Sequence, residues 1–306
     1  MEFKHTPVLL RETVDALCVK ENGLYVDCTA GGGGHSFEIL KRLGNGLLID
    51  IDRDPDAVLN LTERFKDAKN VRIVHDNFFN IKNILSSFTS SGADGILADL
   101  GVSSFQIDNA ERGFSFHTDA PLDMRMSKEG LSAADLVNTL PQSELQRIIY
   151  AYGEEKFAPS ISRNIVKERE KEPITTTLRL AEIISASVPA YARRDGHPAR
   201  KTFQALRIEV NGELRSLDKA VCDMFDLLKP GGRLAVITFH SLEDRTVKKC
   251  FADFCSGCTC PPDFPVCVCG KKPRGKLPFK VITAGEEELN ENPRCRSAKL
   301  RAIEKL

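Results

Sequence analysis

The residues able to do chemistry gather at a few junctions. Asp27 closes the short apolar run Leu24-Tyr25-Val26, four glycines follow at Gly31 to Gly34, and His35 opens a stretch in which Phe37, Leu40 and Leu43 recur at helical spacing. A glycine turn between strand and helix lets the backbone approach a ligand closely, and the first helical turn offers N–H groups with no partner of their own. About 20 residues on, where such folds place a sugar-binding acid, Asp50 and Asp52 end a second apolar run. A carboxylate there can accept from both hydroxyls of a ribose. A further acid, Asp99, ends Gly95-Ile96-Leu97-Ala98, and Ser103 and Ser104 lie on the loop beyond it. The same glycine run would also suit a flexible surface turn, so the surrounding elements must decide.

Those elements alternate. Apolar runs at Leu24–Val26, Gly46–Asp52, Val71–His75 and Gly95–Leu100 are separated by helical patterns, with Asp54-Pro55 opening one of them. This rhythm calls for an α/β fold with a parallel sheet covered on both faces. It stops after Leu100. From about Gln106 to Lys201 no strand is legible; Ser132–Leu140, Ser143–Tyr152, Ala158–Glu172 and Thr177–Val188 read as helices, with Pro141, Pro173 and Pro189 between them. The rhythm returns with a long helical pattern over Phe203–Leu228. Lys229-Pro230-Gly231-Gly232 then turns the chain into a fifth strand, Leu242–Phe254 follows as a helix, and Ala298–Leu306 is a candidate antiparallel strand. The expected division is therefore a sheet domain from 1–105 and 202–306, interrupted by an all-helical insertion at 106–201 that suits substrate recognition.

Bulk properties limit the function. The 306 residues are 42% hydrophobic, and 43 Lys plus Arg balance 43 Asp plus Glu. A net charge of zero argues against non-specific coating of nucleic acid but leaves room for a local basic groove. The segment Arg193-Arg194-Asp195-Gly196-His197-Pro198-Ala199-Arg200-Lys201 is such a place, expected to touch phosphates. The start of the chain carries no apolar signal sequence and no run is long enough to cross a membrane, so a reducing cytoplasm is expected. In that setting the cluster Cys255, Cys258, Cys260, Cys267 and Cys269 reads as reduced thiols or as a structural zinc site, its spacing irregular for tetrahedral chelation.

Two ligands suit a glycine turn followed by a sugar-binding acid: a dinucleotide and S-adenosyl-L-methionine. Asp27 beside the turn would attract a methionine ammonium and repel a pyrophosphate. The dinucleotide pattern of glycines fails where Ser36 stands. Leu228-Lys229-Pro230-Gly231-Gly232-Arg233-Leu234 looks like the turn common in class I methyltransferases. The second ligand is favoured.

A broader resemblance then emerges. His5-Thr6-Pro7-Val8-Leu9-Leu10, Gly32-Gly33-Gly34-His35-Ser36, Ile51-Asp52-Arg53-Asp54-Pro55, Asp99-Leu100-Gly101-Val102-Ser103-Ser104, Ala110-Glu111-Arg112-Gly113-Phe114-Ser115-Phe116, Pro121-Leu122-Asp123-Met124-Arg125-Met126, Tyr152-Gly153-Glu154-Glu155 and Phe239-His240-Ser241-Leu242-Glu243-Asp244-Arg245 occur in that order. Nearly end to end, the chain resembles the bacterial 16S ribosomal RNA cytosine-N4 methyltransferases, the MraW family. The resemblance implies a Rossmann-like class I methyltransferase domain with an inserted helical domain. It implies S-adenosylmethionine as donor, and a cytidine of the decoding centre in the small ribosomal subunit as acceptor. It also implies cofactor contacts at Gly33, Gly34 and His35, the ribose on Asp52, Phe78 near the adenine, and Asp99 and Gln106 at the methyl-transfer end. Metal is not needed for that chemistry.

The cytosine amino group is a poor nucleophile because its lone pair is delocalised into the ring. A carboxylate that receives its hydrogens would help, and Asp99 is the first candidate. Many amino-methylating enzymes carry an Asn-Pro-Pro-Tyr-like motif at this place, where this chain has Asp-Leu-Gly-Val-Ser-Ser. His240, and Asp123 with Arg125, are further candidates for holding the base. A DNA amino-methyltransferase and a non-catalytic RNA-binding protein are the alternative functions.

Overall fold

Leu24–Asp27 (β1) is the centre of the sheet in the computed structural model, which describes residues 7–193, 196–257, 260, 266 and 268–306. On one side of β1 lie Leu47–Asp52 (β2) and then Val71–His75 (β3); on the other lie Ala93–Asp99 (β4) and Leu228–Thr238 (β5). All of these pairs are parallel, with Val26 opposite Ile49 and Ile96. Gly275–Lys276 (β6), Ile282–Thr283 (β7) and Lys299–Lys305 (β8) complete the sheet, β8 running antiparallel to β5 with Ala235 opposite Ala302. The Ala298–Leu306 expectation is met by β8, whereas β6 and β7 are too short for a legible apolar pattern.

The inner strands are apolar on both faces because helices cover both. Leu48, Ile49, Ile51, Ile96, Leu97 and Ala98 have no exposed surface. Tyr25 is buried between them; its hydroxyl donates to Cys18 O and accepts from Lys20 N, so the ring's polar tip is satisfied. Gly95 lies against that ring, where a Cβ would come within 2.6 Å of Tyr25 Cε1. Sheet order reverses between β1 and β4, and ligands of such sheets sit beyond the strands' carboxyl ends at that reversal. Asp27, Asp52 and Asp99 are the last residues of β1, β2 and β4.

The chain forms two compact units. One holds the residues up to Gly101 together with Ser216–Leu306; the other is Val102–Arg215. The expected boundary at 201 is thus displaced to 215. Helix Ala199–Asn211 packs on helix Gln142–Gly153 and buries Phe203 and Leu206 in the helical unit's own core. The single helix expected over Phe203–Leu228 is two, Ala199–Asn211 and Leu217–Asp226, because Gly212 takes φ +61° and ends the first. Pro230-Gly231-Gly232 lies inside β5 rather than ahead of it, at a register shift between Ala93 and Gly95 of the neighbouring strand.

Among its described residues the helical unit contains no strand, only an isolated bridge between Pro121 and Thr176. Asn211 fastens its long loop: the side-chain amide accepts from Met126 N and donates to Met124 O, both at 2.8 Å. Buried Arg112 donates to Arg125 O and Met126 O.

Candidate active site

The turn after β1 is pinned across two neighbouring strands. Cys28 N donates to Leu97 O at 2.8 Å and Ala30 N to Ile51 O at 3.1 Å. Gly31 and Gly33 take φ +50° and +73°, a region other residues enter at a cost of about 1–2 kcal/mol. A Cβ on Gly33 would stand 2.9 Å from Leu61 Cδ2 and 3.0 Å from Phe65 Cε2, and one on Gly34 would run into the Pro7 ring. Both glycines are therefore demanded by the protein's own packing. A Cβ on Gly31 would meet, among the described residues, only Thr29 O at 3.8 Å, so the turn is open at this position.

Asp52 holds that turn in place. Its Oδ2 accepts from Gly31 N at 2.7 Å and its Oδ1 from Asp54 N at 2.8 Å. Each oxygen keeps a second lone pair, enough for two vicinal hydroxyls. Burial pushes its carboxyl up to about 6, against the pull of these two N–H donors. Asp50, two residues back on the same face, is fully buried and engaged with Ser36. Of the two acids left open by sequence, Asp52 is therefore the one that faces outward.

Ser36 lies between two carboxylates. Its hydroxyl is 2.9 Å from Asp27 Oδ2 and 2.9 Å from Asp50 Oδ1, all three residues having at most 1% exposure. One hydroxyl hydrogen serves one acceptor, so a second proton is needed between the acids. Burial raises both, Asp27 to about 6 and Asp50 well above the carboxylate range, with Asp27's charge adding to the effect on Asp50. Ser36 thus has a polar role where sequence reading saw only a missing glycine.

Asp99, half-buried, ends β4. Its backbone N–H donates to Thr29 Oγ1 at 2.6 Å, which ties the β4 end to the glycine turn. Its Oδ2 is 3.9 Å from His35 Nδ1, and its buried Oδ1 has no hydrogen-bond partner among the described residues. Burial, then the negative Asp27 and Glu243, hold this carboxyl well above its usual range. His35, itself buried, has Nε2 3.1 Å from Val8 O. A carbonyl only accepts, so Nε2 carries the hydrogen and Nδ1 is the nitrogen turned to Asp99. His35 therefore joins the segment after Pro7 to the acid at the end of β4.

Phe78 begins a 3₁₀ turn, Phe78–Asn80, at the carboxyl end of β3, where the Asn77 side chain accepts from Phe79 N. Its half-buried ring meets Phe79 edge-on at 4.7 Å, an apolar face of the kind a base can lie against. Gln106 belongs to the helical unit. It is buried at the third position of helix Ser104–Asp108, and its Oε1 accepts from Ser103 N while Ser103 Oγ accepts from Gln106 N. This reciprocal cap gives the residue a local role whatever else it does. His240 caps helix Ser241–Cys255 with Glu243, whose Oε2 accepts from Phe239 N. Asp123 and Arg125 form a forked ion pair, 2.6 Å at its shortest.

In the basic segment His197 stacks on Phe116 at 4.5 Å, Arg200 is exposed and Lys201 donates to Glu154 O. Arg194 and Asp195 lie outside the described residues, as do Cys258 and Cys267 of the cysteine cluster. Cys255 and Cys260 are half-buried and Cys269 is exposed; among the described residues no three cysteines converge. No described helix is long and apolar enough to cross a membrane.

The carboxyl end of the sheet thus brings together a fixed glycine turn, an outward carboxylate at Asp52, an aromatic face at Phe78 and the half-buried acid Asp99, whose Oδ1 has no partner among the described residues. The profile of the MraW methylase family matches residues 2–306. The chain belongs to the MraW methylase family. Two curated relatives, each named ribosomal RNA small subunit methyltransferase H and found in Clostridium botulinum strains Kyoto and Loch Maree, are 55% identical and aligned over the whole of both chains. Among solved structures, an rRNA methylase from Streptococcus thermophilus is 11% identical with a TM-score of 0.42, each chain covered to 99%. The MraW fold assignment here rests on the strand order, a Rossmann-like parallel sheet with one antiparallel strand.

Proposed function

We propose that this MraW methylase transfers a methyl group from S-adenosylmethionine to the N4 amino group of a cytidine in the decoding centre of 16S ribosomal RNA. The observation that carries the cofactor reading is the bond from Gly31 N to Asp52 Oδ2, which locks the open turn to the ribose-binding acid. The RNA reading draws on the full-length relatives and their printed names.

The donor supplies an activated methyl carbon, so the protein's work is alignment and proton handling. In this reading Asp52 takes the ribose hydroxyls, Phe78 lies against the adenine, and the amides of Gly33, Gly34 and His35 border the rest of the nucleoside. Gln106 remains a proposed contact in addition to its cap. In the same reading the ionised form of Asp99 receives hydrogens from the acceptor amine, which localises the nitrogen lone pair. As the carbon–nitrogen bond forms and the carbon–sulfur bond breaks, the amine sheds one proton and Asp99 accepts it. The helical unit, with Arg200 and the Phe116–His197 stack, serves the RNA.

The test uses small ribosomal subunits from a strain lacking this protein, with labelled donor and mapping of the modified nucleotide by mass spectrometry. Incorporation into one cytidine as N4-methylcytidine is expected. Methylation of duplex DNA in preference to subunits, or donor binding without any turnover, would overturn the proposal.

A further inference from the structure

Asp99 ends β4 at the level where its neighbour β1 has already left the sheet. Backbone groups along one edge of a parallel strand are spaced two residues apart. On the edge facing β1, Leu97 O accepts from Cys28 N at 2.8 Å, and beyond Cys28 the chain turns off into the glycines. The next donor on that edge is Asp99 N, which meets a side chain instead: Thr29 Oγ1 accepts from it at 2.6 Å. A hydroxyl thus takes the place that a strand carbonyl fills further down. Thr29 is itself held. Its N–H donates to Asp27 Oδ1 at 3.1 Å, closing a side-chain turn over residues 27–29. The other oxygen of Asp27 is 2.9 Å from Ser36 Oγ, which in turn is 2.9 Å from Asp50 Oδ1, and all three residues are buried. One run of polar contacts therefore passes from β2 through the start of helix Gly34–Arg42 to β1, and on to the end of β4. The bonds that fix the rest of the turn bypass the Thr29 hydroxyl: Gly31 N to Asp52 Oδ2, Ala30 N to Ile51 O, and Gly33 N to Ala30 O at 2.7 Å.

We propose that Thr29 is a positioning residue for methyl transfer: its hydroxyl, steadied by the contacts of Asp27, Ser36 and Asp50, fixes the backbone of Asp99 so that the carboxyl meets the acceptor amine. The proposal rests on reading Asp99 as the group that receives the amine's hydrogens. On its β5 edge the strand end is bonded through Leu100 N to Ile237 O at 3.0 Å. On its β1 edge, among the described residues, the hydroxyl of Thr29 is what Asp99 N holds to. Valine at this place keeps the branched shape of threonine and removes only that acceptor, leaving Asp99 N unpaired and the strand end free to shift. Alignment is what such a shift costs, since a misplacement of about 1 Å at a reacting group can lower a rate by about 100-fold. Donor binding depends on the other side of the turn, whose bonds stay in place. The two sides therefore separate in kinetics: loss of the hydroxyl slows transfer and spares the donor.

Methylation of small ribosomal subunits from a strain lacking this protein, measured with Thr29→Val and Thr29→Ser in the full chain, tests this. Thr29→Val should lower kcat by about tenfold, the scale of one lost hydrogen bond. Its KM for S-adenosylmethionine and its calorimetric affinity for S-adenosylhomocysteine should stay within about twofold, because the contacts to the donor are untouched. That retained binding also verifies the fold. Thr29→Ser, which keeps the hydroxyl, should restore most of the rate. Ser36→Ala should slow transfer through the same contact, so that adding it to Thr29→Val costs less than the product of the two separate losses. An unchanged kcat in Thr29→Val, or a serine variant as slow as the valine one, would overturn the proposal. So would a loss of donor affinity as large as the loss of rate, which would make Thr29 part of the donor site. Losses that simply multiply in the double variant would overturn the part given to Ser36. Absence of N4-methylcytidine from the product of the unmodified chain would instead overturn the reading of the reaction beneath it.

Discussion

At Asp52 two backbone donors, Gly31 N and Asp54 N, meet the two oxygens of one carboxylate. An amide in its place keeps one acceptor and turns an NH2 group against one of these donors. Asp52→Asn should therefore weaken binding of S-adenosylhomocysteine by about 10- to 100-fold, the range for a hydrogen bond to a charged group. Calorimetry checks it, and unchanged affinity would remove Asp52 from the site. Sequence spacing alone could not choose between Asp50 and Asp52, because residues two apart on a strand share a face. Depth separates them, and depth is set by the Ser36 hydroxyl and by Asp27 across on β1. Thr29 was equally silent in the sequence. Its contact is with the backbone of Asp99, a residue distant in the chain and brought near by the pairing of β1 with β4.

At the scale of elements, the first four strands were legible because each is a short apolar run closed by a polar residue and bounded by turn residues. The break at Gly212 was not, because apolar spacing continues across it from Leu206 and Ile208 to Leu217 and Val221; only the backbone reveals φ +61°. Helix Ser104–Asp108 offers a test of what a site residue does for its own element. Removing Gln106 leaves Ser103 N without its side-chain acceptor. Gln106→Ala should cost about 1 kcal/mol, the usual value of a helix cap, and Gln106→Glu should restore most of it because glutamate suits the same position of a capping box. Chemical denaturation of the two variants measures this. Equal loss in both would mean that the cap contributes little and that the residue's burial serves another end.

For the whole molecule, balanced composition conceals two opposed sets of acids. Asp94, Asp223 and Asp244 are partly buried, which raises them, but Lys229 and Lys20, Lys219 and Lys82, and Arg301 and Lys299 outweigh that and hold them below the usual range. A depressed carboxyl gives stability that is present above its unfolded value, near 4, and lost as pH falls through its folded value. The cleft acids have the reverse sign. Burial pushes Asp27 and Asp52 up to about 6, and Asp50 and Asp99 well above the usual carboxylate range. The unfolded chain ionises these groups near pH 4 while the folded chain resists, so stability is lost as pH rises from about 4 through 6 and beyond. The two trends cross on the acid side of neutrality. Melting temperature of the empty protein should therefore peak near pH 4–5 and fall by several degrees (roughly 2–4 °C for each kcal/mol in a chain of this order of size) by pH 7. Saturating S-adenosylmethionine should flatten that fall, because a cation in the cleft favours the ionised acids, while S-adenosylhomocysteine should raise the curve with less change of slope. Calorimetric melts across this range, with and without each ligand, decide it. A melting temperature that climbs steadily to neutrality would mean that the cleft acids are ionised at no cost, and that the charge of the donor is not what they are arranged to meet.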